Sequence, residues 1–313
     1  MKQAIKMIKK SLLLFPFLAI SLFSGGCSAH YGDYIASDGP EKLLLEKSFQ
    51  VNAGEKLGVE AVAADIWVST WSKNEVAVRI YGNENALEKV DISVDKISSG
   101  VMIEIEKKSF LKSLSNLGLR VEVMAPESFN TDLKTSGGDI KVKDMRGSFA
   151  MITSGGNIGL ENSSGSVNGK TSGGNIKLMR FNGSAALKTS GGNIVVKDVE
   201  GSVDVGTSGG DIDIDSQKGN IVAKTSGGNI KLKYNGENQG IECGTSGGDI
   251  VAYVPETFKA DVILKTSAGE VECELTASNV KMTHSSFTGT VNGGGMPLTL
   301  KTSGGSISLN KLK

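Results

Sequence analysis

Histidine is almost missing from this chain. His30 and His284 are the only two in 313 residues. A Ser-His-Asp relay or a His-rich zinc centre is therefore nearly out of reach. Proline is also scarce, at 5 residues, while glycine reaches 41, about twice its ordinary share of ~7%. Glycine in excess without proline, with β-branched residues between, argues for repetitive β-structure and against a disordered linker. No apolar run is long enough to span a bilayer: the longest, SLLLFPFLAISLF at residues 11–23, falls short of the ~20 residues required. Nor is there a basic excess. Residues 1–26 hold four lysines and no acid, so without them 30 bases face 34 acids, which gives no support to nucleic-acid binding.

What the N-terminus does contain is an export pattern. Lys2, Lys6, Lys9 and Lys10 precede the short apolar core, and Ser24-Gly25-Gly26-Cys27 follows it. This arrangement resembles a bacterial lipoprotein signal. The resemblance implies removal of residues 1–26 and acylation of Cys27, a firm membrane anchor through several chains. The competing reading is an ordinary cleaved signal with an incidental cysteine. Ser28 lacks the Asp that resembles an inner-membrane retention signal, so a lipid-anchored cell-envelope location is expected, on the outer membrane or cell surface where there is one.

The body of the chain repeats. Thr of a T-S-x-G phrase stands at 135, 153, 171, 189, 207, 225, 245, 266 and 302, and the first five intervals are identical. Glycine recurs every ninth residue from 138 to 228, two to each interval. After the phrase come Asp139, Asn157, Asn175, Asn193, Asp211, Asn229 and Asp249, then an isoleucine column from Ile140 to Ile250. Alternation at period two marks strands with one buried face. Two strands per repeat, separated by glycine corners, suggest stacked coils with parallel ladders. The expected fold is all-β: a right-handed parallel β-solenoid with 18-residue coils. Hexapeptide β-helices share the 18-residue turn but not the nine-residue glycine period, and an antiparallel meander is the main competitor. The paired glycines are expected to supply positive φ and close approach, and the Asn/Asp column to bond its neighbour one coil away or to take up αL geometry.

Four segments follow: a signal at 1–26, a lipid-anchored tether at 27–44, an N-terminal β cap with irregular coils at 45–130, and the regular solenoid with looser C-terminal coils at 131–313. KKSFLKSLSNLG reads as a loop or short helix within the cap, and the final TSGGSISL as a frayed last coil. In this register Cys243 and Cys273 both face inward on neighbouring coils, either as buried thiols or as a bridge.

Candidate chemistry is thin. Gly165–Thr171 imitates a phosphate loop with one residue too few between its glycines, and Asp211, Asp213 and Asp215 imitate the start of a calcium loop without its turn glycine or closing glutamate. No metal or other cofactor is expected. One surface feature carries a binding hypothesis: Lys134, Lys170, Lys188, Lys224, Lys265 and Lys301 each precede the repeated threonine or its equivalent, and would stack ~4.8 Å apart to meet the anionic groups of an envelope glycan. Lysines that merely solubilise the surface are the plainer alternative.

KSFQVNAGEKLGVEAVAADIWVSTWSKNEVAVRIYG, LRVEVMAPESFNTDLKTSGGDIKV and the serial TSGGNI phrases resemble a bacterial putative-adhesin family of β-strand-repeat domains, a domain of unknown function, over about residues 45–310. The resemblance implies a β-helical body, a place in the envelope and no enzyme activity. The expected function is thus a non-catalytic envelope lipoprotein, attached to the membrane by its anchor and binding a glycan, protein or membrane component. The alternatives are a polysaccharide lyase or hydrolase on a β-helix, or an envelope-stress sensor. An enzyme would need clustered carboxylates beside Arg or Lys, whereas Arg146 and Arg180 are scattered.

Overall fold

A computed structural model describes residues 41–109 and 117–312. The signal, Cys27, the tether up to residue 40 and most of KKSFLKSLSNLG lie outside the described residues. Strands β1 (Lys42–Gln50), β2 (Lys56–Ala61), β3 (Asp65–Trp71) and β4 (Glu75–Gly82) precede a single helical turn, α1 (Ala86–Lys89). Then come β5 (Val90–Ile97), β6 (Gly100–Lys107), β7 (Arg120–Pro126), β8 (Asn130–Thr135), β9 (Ile140–Lys143), β10 (Arg146–Ile152), β11 (Ile158–Lys170) and β12 (Ile176–Lys188). The series continues with β13 (Ile194–Glu200), β14 (Val203–Gly206), β15 (Ile212–Lys218), β16 (Ile221–Lys224), β17 (Ile230–Tyr234), β18 (Ile241–Gly244) and β19 (Ile250–Val254). It ends with β20 (Ala260–Lys265), β21 (Val271–Cys273), β22 (Ala277–Thr283), β23 (Ser286–Val291), β24 (Pro297–Lys301) and β25 (Ile307–Lys311). Lys42, Leu43 and Leu44, assigned from sequence to the tether, open β1; Lys42 and Leu43 pair antiparallel with β4, and Leu44 lies at a register shift.

The middle of the fold is a parallel stack in which like lies on like. Ile140, Ile158, Ile176, Ile194, Ile212 and Ile230 are successive ladder partners at the spacing of the repeat, and Ile230 meets Ile250 across a slightly longer one. The antiparallel meander is excluded here. On the facing side Leu133, Met151, Gly169, Leu187, Val205, Ala223 and Cys243 form the matching inward column. A third inward column escaped the sequence pattern: Met145, Phe181, Val199 and Tyr234 are all buried where the chain bends between the two sides. Sizes compensate between neighbours. The coil that carries small Ser163 and Gly169 lies against Phe181 and Leu187, which fill the space.

Four backbone devices make the corner. The repeated threonine is buried; Thr189 Oγ1 donates to the Gly174 carbonyl of the preceding coil at 2.9 Å and accepts from Gly192 N–H at 3.3 Å. The Ser172 carbonyl takes both Ser190 N–H and Gly191 N–H, at 3.2 and 2.9 Å. Asn175 Oδ1 accepts from Asn193 N–H at 2.8 Å, and this side-chain ladder runs unbroken from Asp65 to Ser306. The second glycine of each pair is fixed by contact: a Cβ on Gly174 would lie 1.9 Å from Gly156 O. The first glycine has room, nothing lying nearer than 3.7 Å to a Cβ on Gly173, and Ala268 fills that place in one copy. Positive φ, expected at these pairs, belongs instead to the opposite corner, at Gly147, Gly165, Gly183, Gly201 and Gly219. The αL side chains sit at Asp144, Asn162, Arg180 and Asp198, not in the Asn/Asp column.

Stacking order departs from chain order at both ends. β2 and β3, placed by sequence in the cap, lie inside the stack, parallel to β8 and β9 on one edge and to β6 and β7 on the other. At the far end β24 pairs with both β18 and β20, and β25 with both β19 and β21. The TSGGSISL coil is therefore enclosed between two others, with Leu298, Leu300, Ile307 and Leu309 all at 0% exposure, and it is not frayed. Antiparallel strands then cover the ends: β1–β4–β7 and β5–β6 at one, β20–β23–β22 at the other. The inserted coil also separates the two cysteines by two rungs along the stack, ~10 Å, on opposite sides of the core, beyond disulfide reach. Both are free thiols.

Because only the second glycine of the pair is in contact, Gly174→Ala should destabilise by roughly 3 kcal/mol or more. Gly173→Ala should stay within about 0.5 kcal/mol or gain slightly, as read by denaturant melts. At the foot of the amide ladder, Asp65 Oδ1 accepts from Asp139 N–H at 2.8 Å. Burial, opposed by that bond and reinforced by the Asp139 charge, raises the Asp65 carboxyl above its ordinary 3.8. A raised acid stabilises the fold when protonated, fully so below 3.8, and loses that contribution as pH climbs through its folded value. Asp65→Asn keeps the acceptor and should raise the melting temperature at neutral pH, with the gain vanishing below 3.8. An equal gain at all pH would contradict this account.

Candidate binding face

Side chains that point outward from the strands are the ones the core leaves free. On the β8–β10–β11–β12–β14–β16–β18–β24–β20 side, the outermost column reads Lys134, Ile152, Lys170, Lys188, Gly206, Lys224, Gly244, Lys301, Lys265. All six sequence-selected lysines share this column, and the inserted coil puts Lys301 ahead of Lys265. Beyond Lys134 the column turns acidic with Glu60 and Glu104.

The lysines differ in their partners. Lys134 Nζ lies 2.9 Å from Glu60 Oε1 and 3.7 Å from Asp132, and Lys224 Nζ lies 2.8 Å from Glu242 Oε1. Hydrogen bonds to Glu60 and Glu242 respectively, then the nearby carboxylate charges, raise both ammonium groups above their usual value. Lys170, Lys188, Lys265 and Lys301 are exposed and carry no ion pair among the described residues. They fall into two adjacent pairs, Lys170 beside Lys188 and Lys301 beside Lys265. Like charges directly across a ladder are destabilising.

Beside the lysines the outward column is short in its middle stretch, with Ala150, Asn168, Ala186, Asp204 and Val222, so the face is flat there. It opens into a groove of about 250 Å³ beside Ala186 and Asp204, and into one of about 410 Å³ around Gly244, lined by Lys224, Lys265, Lys301, Glu242, Ser246 and Ser303. Sequence reading finds Ile152, Gly206 and Gly244 as interruptions of the lysine column but misses Glu242. Glu242 stands two residues before a break in the lysine column, and the break itself was the signal.

The other sequence candidates dissolve into the scaffold. Asp211 belongs to the corner ladder, Asp213 is held by Lys197 at 2.6 Å, and Asp215 by Lys233 at 3.1 Å. Gly165–Lys170 lies within β11. Arg146 pairs with Glu127 and Arg180 with Glu161 on different rungs, and His284 faces Glu270 at 3.6 Å with both exposed. Among the described residues no three His, Cys, Asp or Glu side chains converge as metal ligands. One cluster could not be foreseen: the Arg120 guanidinium lies 4.8 Å over both Trp67 and Tyr81, because β7 pairs with β3 and β4.

The family model Toastrack DUF4097 matches residues 46–310. A solved Bacteroides fragilis protein described as a "putative adhesin" is similar at 16% identity and TM-score 0.50, covering 86% of this chain and 97% of its own, which shows a shared fold. A Parabacteroides distasonis "putative lipid binding protein" (18% identity, TM-score 0.41, 88% and 98% covered) and a Parabacteroides merdae "putative adhesin" (11%, 0.35, 88% and 98%) superpose more loosely and bear no weight. No protein of curated function matches the chain.

Burial lifts the Cys243 thiol to about 12, whereas Cys273 is half-buried and raised less decisively by the same cause. Thiolate is the reactive form. Peptide mapping after alkylation of the native protein should find Cys243 unmodified and Cys273 slowly labelled, with both labelled in denaturant. Rapid native labelling of Cys243 would contradict the inward register.

Proposed function

The chain belongs to the Toastrack DUF4097 family, and from that premise we propose that it is a non-catalytic, adhesin-like binding module of the cell envelope. Its lysine-bearing face contacts an anionic envelope or surface polymer. The observation that carries this reading is the group of four lysines without ion pairs, set in two like-charged pairs on one column. The scaffold has no use for such pairs, since solubility is served equally well by alternating charge. A flat face with a linear charge array suits an extended partner, which it attracts by long-range charge and holds by many weak contacts.

Two further elements belong to the same reading. The winding is right-handed, in 18-residue coils, because nearly all parallel crossovers take that hand and the ladder partners recur at that interval. Cys27 carries the lipid that attaches the module to the membrane; the order of lysines, short apolar core and small residues before it supports this. The location is accordingly the cell envelope.

Retention on immobilised acidic envelope polysaccharide tests the proposal. Lys170→Glu with Lys188→Glu, and Lys265→Glu with Lys301→Glu, should each weaken retention by about tenfold or more at low salt, and added salt should weaken the wild type likewise. Lys231→Glu, on the other side of the stack, should have little effect. Retention indifferent to both lysine pairs would overturn the reading.

A further inference from the structure

The lysine column is interrupted twice by glycine, and the two interruptions are not alike. At Gly206 the flanking rungs are Lys188 and Lys224, and the 250 Å³ groove on these rungs is lined by Ala186, Asp204 and Asn220, with no lysine in its wall. At Gly244 the flanking rungs are Lys224 and Lys301, with Lys265 one rung further, and here the 410 Å³ groove forms. Neither glycine is demanded by the backbone. A Cβ on Gly244 would meet nothing nearer than Lys301 O at 3.9 Å, and one on Gly206 nothing nearer than Lys224 O at 3.7 Å. Gly244 also lacks the positive φ that would require glycine. The groove is thus an absence of side chain in a place where the fold tolerates one.

Its lining is charged and hydroxylic. Lys265 and Lys301 contribute two unpaired ammonium groups, Lys224 is tied to the single carboxylate Glu242, and Ser246 and Ser303 add hydroxyls from the adjoining corners. No aromatic ring lines it, so stacking on a neutral sugar ring has no platform. The net positive charge and hydrogen-bond donors match an oxyanion.

Building on the polymer reading above, we propose that the Gly244 notch is a binding subsite for one oxyanion-bearing sugar unit, a carboxylate or sulfate ester. The anion sits between Lys301, Lys265 and Lys224, and its polymer runs on along the column. The column alone would act as a uniform polyelectrolyte strip; the notch adds selectivity for a unit of limited size. It is assembled from segments far apart in sequence, Lys224, Gly244, Lys265 and Lys301, and it exists because the β24–β25 coil is inserted ahead of β20–β21.

The test fills the notch without touching any lysine. Binding of an oligogalacturonate and of a sulfated dextran oligomer is measured by calorimetry, with neutral dextran as reference, on the wild type, Gly244→Gln, Gly244→Lys and Gly206→Gln, each checked for an unchanged melting temperature. The subsite predicts that Gly244→Gln and Gly244→Lys both weaken one acidic probe by about tenfold, while Gly206→Gln stays within about twofold. The probe affected tells carboxylate from sulfate. If Gly244→Lys binds more tightly and Gly244→Gln matches wild type, the column acts as a strip and the subsite is overturned while the polymer reading survives. Wild-type protein that binds neither acidic probe, or binds neutral dextran equally well, overturns the subsite. If retention is also indifferent to the paired lysine substitutions, the polymer reading falls with it.

Discussion

The fold depends on how closely one coil's corner lies on the next. The second glycine of each phrase stands so near the carbonyl below that a methyl group would occupy the space of its oxygen. That contact fixes the height of a rung and aligns everything else on it. The buried threonine reaches the coil beneath, the serine carbonyl collects two N–H groups, and the amide column locks the main chain from outside. A slip by one residue would turn the isoleucine column outward and break all of these bonds together. The redundancy suits a narrow core. A single coil buries too few side chains to offset the entropy of ordering itself, so its stability comes from neighbours on both edges.

Near-identical coils have a second consequence: the stack need not follow the chain. Once every rung presents the same donors and acceptors, any coil fits beside any other, and the connections decide the order. The chain uses that freedom at both ends. It lays β2–β3 down between later coils, and it leaves a place after β19 that β24–β25 fill once β20–β23 have been built beyond it. Antiparallel strands then cover the ends of the stack, where parallel coils alone would leave long open edges. Irregularities in β1, between Leu43 and Leu45, and in β22, between Ser278 and Lys281, further disturb the outermost strands.

The period of the sequence reveals what is periodic and little else. Strand positions, inward columns, the lysine column and the parallel register of the regular coils can all be read from alternation and glycine spacing. The stacking order cannot, because a repeat says which residues are equivalent and is silent on which copies touch. The wide gap between Thr266 and Thr302 is the trace of the excursion that reorders the end. Ile66 joins the isoleucine ladder without being recognisable as a member, because Ala64 replaces the glycine at its corner. Met145, Phe181 and Val199 are hidden because the bend that turns them inward breaks the period of two. Sequence places positive φ at the wrong corner because both corners carry glycine, and the phrase with two of them needs its second one for contact alone.

What the scaffold leaves free is where function can reside, and the two faces use that freedom differently. Inward positions are constrained by packing and most corner positions by backbone contact, so outward strand positions are the freest to vary. On the β9–β19 side opposite charges meet across rungs: Lys143 lies 3.6 Å from Glu161, Lys197 2.6 Å from Asp213 and Lys233 3.1 Å from Asp215. Such pairs contribute little each, but they leave the surface locally neutral. On the β8–β24 side four lysines stand unneutralised, two against two, and a glycine holds open a groove that a side chain could have closed. Identical coils under identical structural demands would produce similar faces. The core and the corners do not demand this asymmetry, and the negatively charged partner proposed above would account for its sign.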